Sequence, residues 1–304
     1  MKSLLPTLAL AVVLPLGLTG CVVVDSQGHI TREEKRFTVT GTPELRLTTF
    51  DGAIEIRAGE GKNVVVEIEK RGATKEALND LKIDVTQDGN RIDVDVKKPS
   101  HEVVFFGVGR MSPTANLIVT MPRESNVTAR SGDGSIRIEH VHGRLELRTG
   151  DGSIRATDIS GQLTLATGDG SVTLEDVAGS LDIDTGDGSV SVAGKPSALK
   201  LHTGDGSITV RASAGTTMTD DWSITTGDGG VAVHLPSDFG AELDAHTGDG
   251  SIRNELGLKA EAEDDRDRGG DRDRDRRTLK GKLGAGGKLL RIRTGDGAIR
   301  LKSN

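Results

Sequence analysis

The pentapeptide TGDGS, present at Thr149–Ser153, is the repeated stretch that decides the fold of this 304-residue chain. It recurs, unchanged or with one substitution, at Ser131–Ser135, Thr149–Ser153, Thr167–Ser171, Thr185–Ser189, Thr203–Ser207, Thr226–Gly230, Thr247–Ser251 and Thr294–Ala298. The first five copies are spaced by 18 residues, and the last three follow at steps of 23, 21 and 47 residues. The regular spacing indicates one structural unit repeated along the chain, and the longer steps indicate insertions.

The residues between two copies alternate between apolar and polar side chains, which is typical of half-buried β-strands. Within one repeat, GSIRI at Gly134–Ile138 is echoed by GRLEL at Gly143–Leu147. Aligned repeats form apolar columns, one of which contains Leu145, Leu163, Leu181, Leu199, Trp222, Leu243 and Leu290. We therefore predict an all-β fold, a single-stranded β-solenoid similar to a parallel β-helix, whose rungs stack in chain order about 4.8 Å apart.

The predicted solenoid domain covers residues 37–304. Its first part, 37–130, would consist of irregular rungs, and its second part, 131–304, of the 18-residue TGDGS rungs and their insertions. The stretch 261–277 (EAEDDRDRGGDRDRDRR) mixes charges of both signs and has almost no apolar side chains. Such a segment cannot bury surface, so we predict a disordered loop inserted into the solenoid.

The irregular rungs are indicated by degenerate corners at Thr49–Gly52 and Thr86–Gly89, each followed by an alternating stretch. Between them, Ala73–Lys82 (ATKEALNDLK) has the composition of one short helix. The apolar stretch Val103–Val108 is expected to cover an end of the core. Some cover is needed there, because an exposed end rung would be an open sheet edge prone to aggregation.

The two glycines of TGDGS predict a tight corner, since glycine adopts positive φ angles that a Cβ disfavours. The central aspartate is expected to accept a hydrogen bond from a backbone N–H two residues further on. In this interpretation the turn-forming residues are Gly132, Gly134, Gly150, Gly152, Gly168, Gly170, Gly186, Gly188, Gly204 and Gly206.

The stacked aspartates also raise a metal-binding alternative, with candidate ligands Asp133, Asp151, Asp169, Asp187 and Asp205. Calcium prefers oxygen ligands and would relieve the repulsion between carboxylates on neighbouring rungs. Calcium-binding β-rolls, however, use a shorter repeat with an aspartate on each half-rung. One carboxylate per rung supplies too few ligands for a closed site. We therefore expect no metal and no other cofactor, and keep a calcium-stabilised solenoid as an alternative.

The N-terminus indicates export from the cytoplasm. Residues 1–20 contain a lysine followed by an apolar stretch too short for a membrane span, which predicts a signal peptide. The sequence LTGC at Leu18–Cys21 resembles the lipobox of bacterial lipoproteins, which implies cleavage before Cys21 and acylation of that residue. Residues 21–36 would then be the acylated cysteine and a linker. Several acyl chains anchor a protein stably, so we expect a membrane-anchored lipoprotein of the bacterial cell envelope.

Composition narrows the possible functions. The formal net charge is −7, and the chain has one tryptophan, five phenylalanines and no tyrosine. A basic face and stacking aromatic rings are what nucleic-acid binding requires, so we expect no nucleic-acid partner. His140 and His142 are interpreted as surface histidines of a corner. No nucleophile motif or nucleotide fingerprint is present, so we predict no catalytic residues.

Three stretches together resemble the bacterial putative-adhesin family of β-strand-repeat proteins, a domain of unknown function often found on lipoproteins. They are ANLIVTMP at Ala115–Pro122, SNVTARSGDGSI at Ser125–Ile136, and the series of TGDG corners followed by serine or alanine and then isoleucine or valine. The resemblance covers about Phe37 to Leu301 and implies a non-enzymatic structural or binding role, toward an envelope protein or polysaccharide. The alternative is a β-helix enzyme acting on envelope polysaccharide through a pair of acids in a groove.

Overall fold

The computed structural model describes residues 21–25, 28–98, 113–258 and 277–304. Within them the chain forms 22 strands of one sheet and one short helix. The N-terminal elements are β1 (Cys21–Asp25), β2 (Gly28–Thr38), β3 (Glu44–Thr49), β4 (Ile54–Ala58), β5 (Asn63–Gly72), α1 (Lys75–Asn79), β6 (Ile83–Asp88), β7 (Arg91–Val96) and β8 (Thr114–Met121). Outside the described residues lie the predicted signal peptide 1–20, the stretch Val103–Val108, and the predicted loop 261–277 except for Arg277.

The repeat region supplies the remaining strands. They are β9 (Asn126–Ser131), β10 (Ile136–Glu139), β11 (His142–Thr149), β12 (Ile154–Thr167), β13 (Val172–Thr185), β14 (Val190–Thr203), β15 (Ile208–Ala212), β16 (Trp222–Thr226), β17 (Val231–Leu235), β18 (Ala241–Thr247), β19 (Ile252–Asn254), β20 (Thr278–Leu283), β21 (Leu289–Thr294) and β22 (Ile299–Ser303).

Neighbouring rungs pair as parallel strands with the predicted offset. Leu145 lies opposite Leu163, which in turn lies opposite Leu181. Each TGDGS segment forms a corner between two strand segments. We call the side whose strands lead into these corners face A and the side whose strands leave them face B. The prediction of an all-β solenoid is confirmed.

The bend opposite the TGDGS corners differs from the predicted turn. There β12, β13 and β14 each continue through the bend as one strand of 14 residues. In the first two of these strands the backbone bends at Asp158 and Asp176, which have φ angles of 52° and 53°, and then passes a glycine with positive φ, Gly161 or Gly179. Aspartate tolerates the left-handed region better than most residues. The positive φ angles predicted for the TGDGS corners are therefore found at the opposite bend.

Apolar side chains from faces A and B meet inside the rungs and form one continuous core. Along β12, Leu163 and Leu165 are buried, whereas Thr164 between them points outward and is half-buried. Trp222 occupies the leucine column of face A with no exposed surface, and its ring centroid lies 5.3 Å from that of Phe239. The predicted phase of the alternation is thus the observed one.

The C-terminal rung is stacked out of chain order. On face A, β21 lies between β16 and β18, and on face B, β22 lies between β17 and β19. The expectation that all rungs stack in chain order is wrong here. The β18–β19 rung ends the stack, and β20 pairs antiparallel with β18 beyond it. Every rung presents the same alternation and the same corner, so the apolar columns alone do not distinguish the two orders.

The N-terminal end contains a second rung out of order. The β3–β4 rung lies between β7–β8 on one side and β9–β10 on the other. Helix α1 falls within the predicted Ala73–Lys82 segment, and the Thr74 side chain caps it by accepting a hydrogen bond from the Ala77 N–H at 3.1 Å. No helix among the described residues is long and apolar enough to cross a membrane.

The described residues of the predicted linker 21–36, which are 21–25 and 28–36, are instead part of the sheet. Strand β2 pairs antiparallel with β5 from His29 opposite Gly72 to Thr38 opposite Asn63, and β5 pairs in the same way with β8. Strand β1 pairs antiparallel with β2. The mixed polar sequence of β2 does not indicate a strand, because its pairing partners lie on β5, 25 to 43 residues further along the chain.

Candidate functional site

The TGDGS corners were the main sequence-derived site, and the threonine is their central polar group. Each corner threonine is buried, and its hydroxyl donates to two glycine carbonyls of the adjacent rung. Thr149 Oγ1 lies 3.1 Å from Gly132 O and 2.8 Å from Gly134 O. The same pair of contacts recurs at Thr167, Thr185, Thr203, Thr226, Thr247 and Thr294. The threonines therefore join consecutive corners along the stack.

The same hydroxyl also closes the turn inside a corner. Gly206 N donates to Thr203 Oγ1 at 3.3 Å, and Gly134 N donates to Ser131 Oγ at 3.0 Å. The sequence interpretation gave this task to the aspartate, and that assignment is wrong. The central aspartates of the corners have exposed side chains, and their carboxylates accept no hydrogen bond from any described residue. They are Asp133, Asp151, Asp169, Asp187 and Asp205.

The corner glycines are needed for close packing between rungs and not for unusual backbone angles. None of the ten predicted turn glycines has a positive φ. A Cβ built on Gly170 would lie 2.0 Å from Gly152 O, and one built on Gly152 would lie 2.2 Å from Gly134 O. The first glycines of successive corners also bond directly, with Gly168 N donating to Gly150 O at 2.5 Å. Backbone lies against backbone here, which leaves no room for a side chain.

The aspartates form an exposed ladder along the edge between the two faces. Asp133 Oδ1 lies 3.1 Å from the position of a Cβ on Gly150 of the next rung, and Asp151 Oδ1 lies 3.1 Å from that on Gly168. Each carboxylate thus leans over the following rung. Among the described residues, no group of three or more histidine, cysteine, aspartate or glutamate side chains is arranged to hold a metal ion.

This division of roles predicts different effects for neighbouring corner residues. We expect Thr185→Val to cost about 1–3 kcal/mol, because it removes a donor and leaves the carbonyls of Gly168 and Gly170 without it. We expect Asp187→Ala to change stability by no more than about 0.5 kcal/mol, because its carboxylate is exposed. Urea unfolding of the two variants beside the wild type measures both values.

Repeating the unfolding with millimolar Ca²⁺ and with a chelator tests the metal alternative on the same samples. A ligand that binds the folded state raises its stability by mass action. A calcium-dependent stabilisation that Asp187→Ala abolishes would contradict our assignment of the corners. So would a larger loss for Asp187→Ala than for Thr185→Val.

His140 and His142 lie at the bend opposite the TGDGS corners, and each pairs with an acid. His140 Nδ1 is 2.8 Å from Asp158 Oδ2 on the next rung, and His142 Nδ1 is 3.2 Å from Glu124 Oε1. The hydrogen bond with His140, supported by the charge of Arg123, holds the pKa of Asp158 below its usual value. The sequence placed the histidines correctly at a surface corner but did not pair them with these acids.

A shallow depression of about 200 Å³ on face A is lined by side chains of both charges from β3, β7, β9 and β11. One of its two acids, Glu146, accepts a hydrogen bond from Arg130 Nη2 at 2.9 Å and lies 3.2 Å from Arg148 Nε. Arg130 and Arg148 hold the pKa of Glu146 below its usual value. A general acid needs a raised pKa, so Glu146 is suited to remain ionised in these charge pairs.

Glu69 is a buried carboxylate at the N-terminal end of face B, with 4 % of its surface exposed. Burial opposes its ionisation, but hydrogen bonds from Arg32 and Arg71, each 2.6 Å at the closest approach, outweigh that effect and lower its pKa. Because Arg32 belongs to β2 and Glu69 to β5, the ion pair between them stabilises the pairing of β2 with the solenoid. We assign it a structural role.

Comparison with known proteins finds a family whose model matches most of this sequence. The family model described as Toastrack DUF4097 matches residues 43–302. No curated relative matches the sequence. Similar crystal structures include a putative adhesin from Bacteroides fragilis (11 % identity, 89 % of this chain and 96 % of that one, TM-score 0.40). Two more are a putative cell adhesion protein from Clostridium sporogenes (15 %, 90 % and 100 %, 0.31) and a putative lipid binding protein from Parabacteroides distasonis (13 %, 89 % and 96 %, 0.33).

Proposed function

Because the chain belongs to the Toastrack DUF4097 family, we propose that it is an envelope lipoprotein, anchored through Cys21, whose solenoid binds other envelope components without catalysing a reaction. The observation that carries this proposal is the structural use of the repeated motif. Thr203 and its equivalents are buried in bonds to glycine carbonyls, and Gly170 and its equivalents are packed against backbone. The conspicuous repeat therefore builds a scaffold.

The outward side chains are the part of the solenoid left to interact with a partner, and they change from rung to rung. On face A the position of Glu146 is taken by Thr164, then Asp182, then Lys200 on successive rungs. A rigid stack with a varied polar surface suits recognition along its length, as in other solenoid proteins. The proposed location in the cell envelope favours two kinds of partner, an envelope polysaccharide or an envelope protein.

The proposed anchor would lie at the N-terminal end of the stack. Cys21 begins β1, which pairs with β2 at the edge of face B and with no other described strand. Acyl chains on Cys21 would attach that end to a membrane and leave both faces free. Cleavage after residue 20 and acylation remain proposals that rest on the LTGC sequence at Leu18–Cys21.

Expression of Cys21→Ser in cells supplied with labelled fatty acid tests the anchor. We expect the wild type to carry label and to sediment with membranes, and Cys21→Ser to lose the label and appear in the soluble envelope fraction. Ser26→Ala, a nearby change outside the lipobox, should behave as the wild type. Label that persists on Cys21→Ser, or an unlabelled wild type, would overturn the proposed anchor.

The soluble Cys21→Ser chain also tests binding against catalysis. We expect it to sediment with washed envelope particles in a saturable manner and to release no new reducing ends from their polysaccharide. Release of reducing ends would support the β-helix enzyme alternative, and failure to sediment would overturn the proposed binding role.

A further inference from the structure

The C-terminal end of face B carries a cluster of outward-facing basic side chains from four strands. Arg211 of β15 lies opposite His234 of β17, which lies opposite Lys302 of β22. In the neighbouring column, Arg300 of β22 lies opposite Arg253 of β19. We call these five residues the basic patch. Adjacent rungs bring its members about 4.8 Å apart, and the two columns are about 7 Å apart along the strands.

Among the residues that the structure describes, little negative charge compensates the basic patch. The side chains of Arg211, Arg253 and Arg300 form no hydrogen bond or ion pair with any described residue. Lys302 has only a loose pair, 3.9 Å from Glu255 Oε2. Like charges directly opposite each other on paired strands are destabilising. In a chain with a net charge of −7, this local cluster of positive charge offers a surface for anions.

His234 lies in the middle of the patch, where its surroundings favour the neutral imidazole. Partial burial, together with the charges of Arg211 and Lys302, lowers its pKa. A neutral imidazole adds a hydrogen-bond donor and an acceptor between two cations without increasing their repulsion. The neighbouring outward positions hold Thr209 and Ala232, which are small and leave the surface open to an extended ligand.

The out-of-order C-terminal rung assembles the patch. Had the rungs stacked in chain order, β19 would pair with β17, and Arg253 would lie opposite Ala232. Instead β22 enters between them and places Lys302 directly opposite His234, while Arg300 remains opposite Arg253. Residues separated by up to about 90 positions in the chain thereby form one surface.

We propose that the basic patch binds a linear anionic polysaccharide through the carboxylates or phosphates carried along its chain; the inference rests on the proposed binding function and specifies its partner. Guanidinium groups bind both kinds of anion in bidentate fashion. Several cations spread over a flat face match repeated charges on an extended polymer better than one small ion. The patch has no phenylalanine, tyrosine or tryptophan for base stacking, which disfavours a single-stranded nucleic acid.

A membrane surface is the less favoured partner. The patch has no apolar side chain suited to insertion among lipids, which stable binding to an interface usually includes. On face B, nine pairing steps separate β2, next to the proposed anchor, from β17, which corresponds to about 40 Å. The patch therefore lies far from the membrane to which the proposed anchor would attach the chain.

The test uses the purified full-length chain in detergent and three fluorescently labelled polymers: polygalacturonate with carboxylates, poly(glycerol phosphate) with phosphates, and neutral dextran. Fluorescence anisotropy gives each dissociation constant at low and high salt. We expect at least one anionic polymer to bind and dextran not to bind, with weaker affinity at high salt because salt screens exposed charges. The anionic polymer that binds identifies the anion.

The variant Arg253→Gln/Arg300→Gln removes the in-register arginine pair of the patch and should weaken binding at least about tenfold. The matched control is Arg137→Gln/Arg155→Gln, an in-register arginine pair on the same face nearer the middle of the stack. It changes the net charge by the same amount and should alter affinity less than about threefold. We expect both variants to fold, because all four side chains are exposed. Circular dichroism melts check this.

Three results would overturn the inference. The first is an equal loss of affinity in the two double variants, and the second is binding of dextran as tight as that of the anionic polymers. The third is binding of phosphatidylglycerol vesicles that the patch variant abolishes, when neither anionic polymer binds. If the soluble chain sediments with envelope particles but binds no anionic polymer, the proposed binding function stands and the patch inference fails. If it does not sediment with envelope particles, the proposed binding function itself fails.

Discussion

Gly170→Ala is expected to destabilise the solenoid by about 3 kcal/mol or more. The added Cβ would lie 2.0 Å from the carbonyl oxygen of Gly152 on the neighbouring rung, and that oxygen also accepts the hydroxyl of Thr167 at 3.0 Å. The obstacle is backbone, so no side-chain rotation relieves it, and the two corners must separate. A thermal melt followed by circular dichroism should show a midpoint lower by at least about 6 °C.

Gly230→Ala is the matched control, since it adds the same methyl group at the last position of another corner. The nearest atom to a Cβ at Gly230 is Ala298 O at 3.5 Å, which is ordinary contact. Its φ is not positive, so we expect a change of less than about 1 kcal/mol. A melting temperature for Gly170→Ala as high as that for Gly230→Ala would contradict the close packing of the corners.

Leu163→Ala is expected to cost about 2–5 kcal/mol, the range for truncating a buried leucine. Leu163 has no exposed surface and lies between Leu145 and Leu181 in the leucine column of face A. Parallel strands on both sides hold its neighbours in register, so the cavity cannot easily collapse. Urea unfolding should show a lower midpoint with an unchanged dependence on urea concentration.

Thr164→Ala changes the next side chain, which points outward from the same strand and is half-buried. It should cost less than about 1 kcal/mol. Because successive side chains of a strand point to opposite faces, the pair tests the phase of the alternation directly. Equal costs at Leu163 and Thr164 would mean that the assignment of inward and outward positions is wrong.

The structure of the TGDGS corners was predicted from the sequence only in part. The sequence correctly placed a corner at Gly168 and Gly170, because two glycines interrupt an alternating pattern. It assigned the wrong cause, positive φ, and the wrong polar group, Asp169. Both errors arise because the decisive contacts, from Thr167 to the carbonyls of Gly150 and Gly152, cross to the adjacent rung. A single rung considered alone does not contain them.

The sequence by itself determined the solenoid, the phase of its strands and the membership of its apolar columns. An 18-residue period suffices for this, since parallel stacking in register brings residues one period apart into contact, as at Leu145 and Leu163. Only the tertiary structure decided the order of the end rungs and the surface they create. Equivalent rungs offer equivalent apolar columns, so hydrophobic burial alone does not select β22 as the neighbour of β17. The chosen order sets which outward side chains meet, and it places Lys302 of β22 opposite His234 of β17.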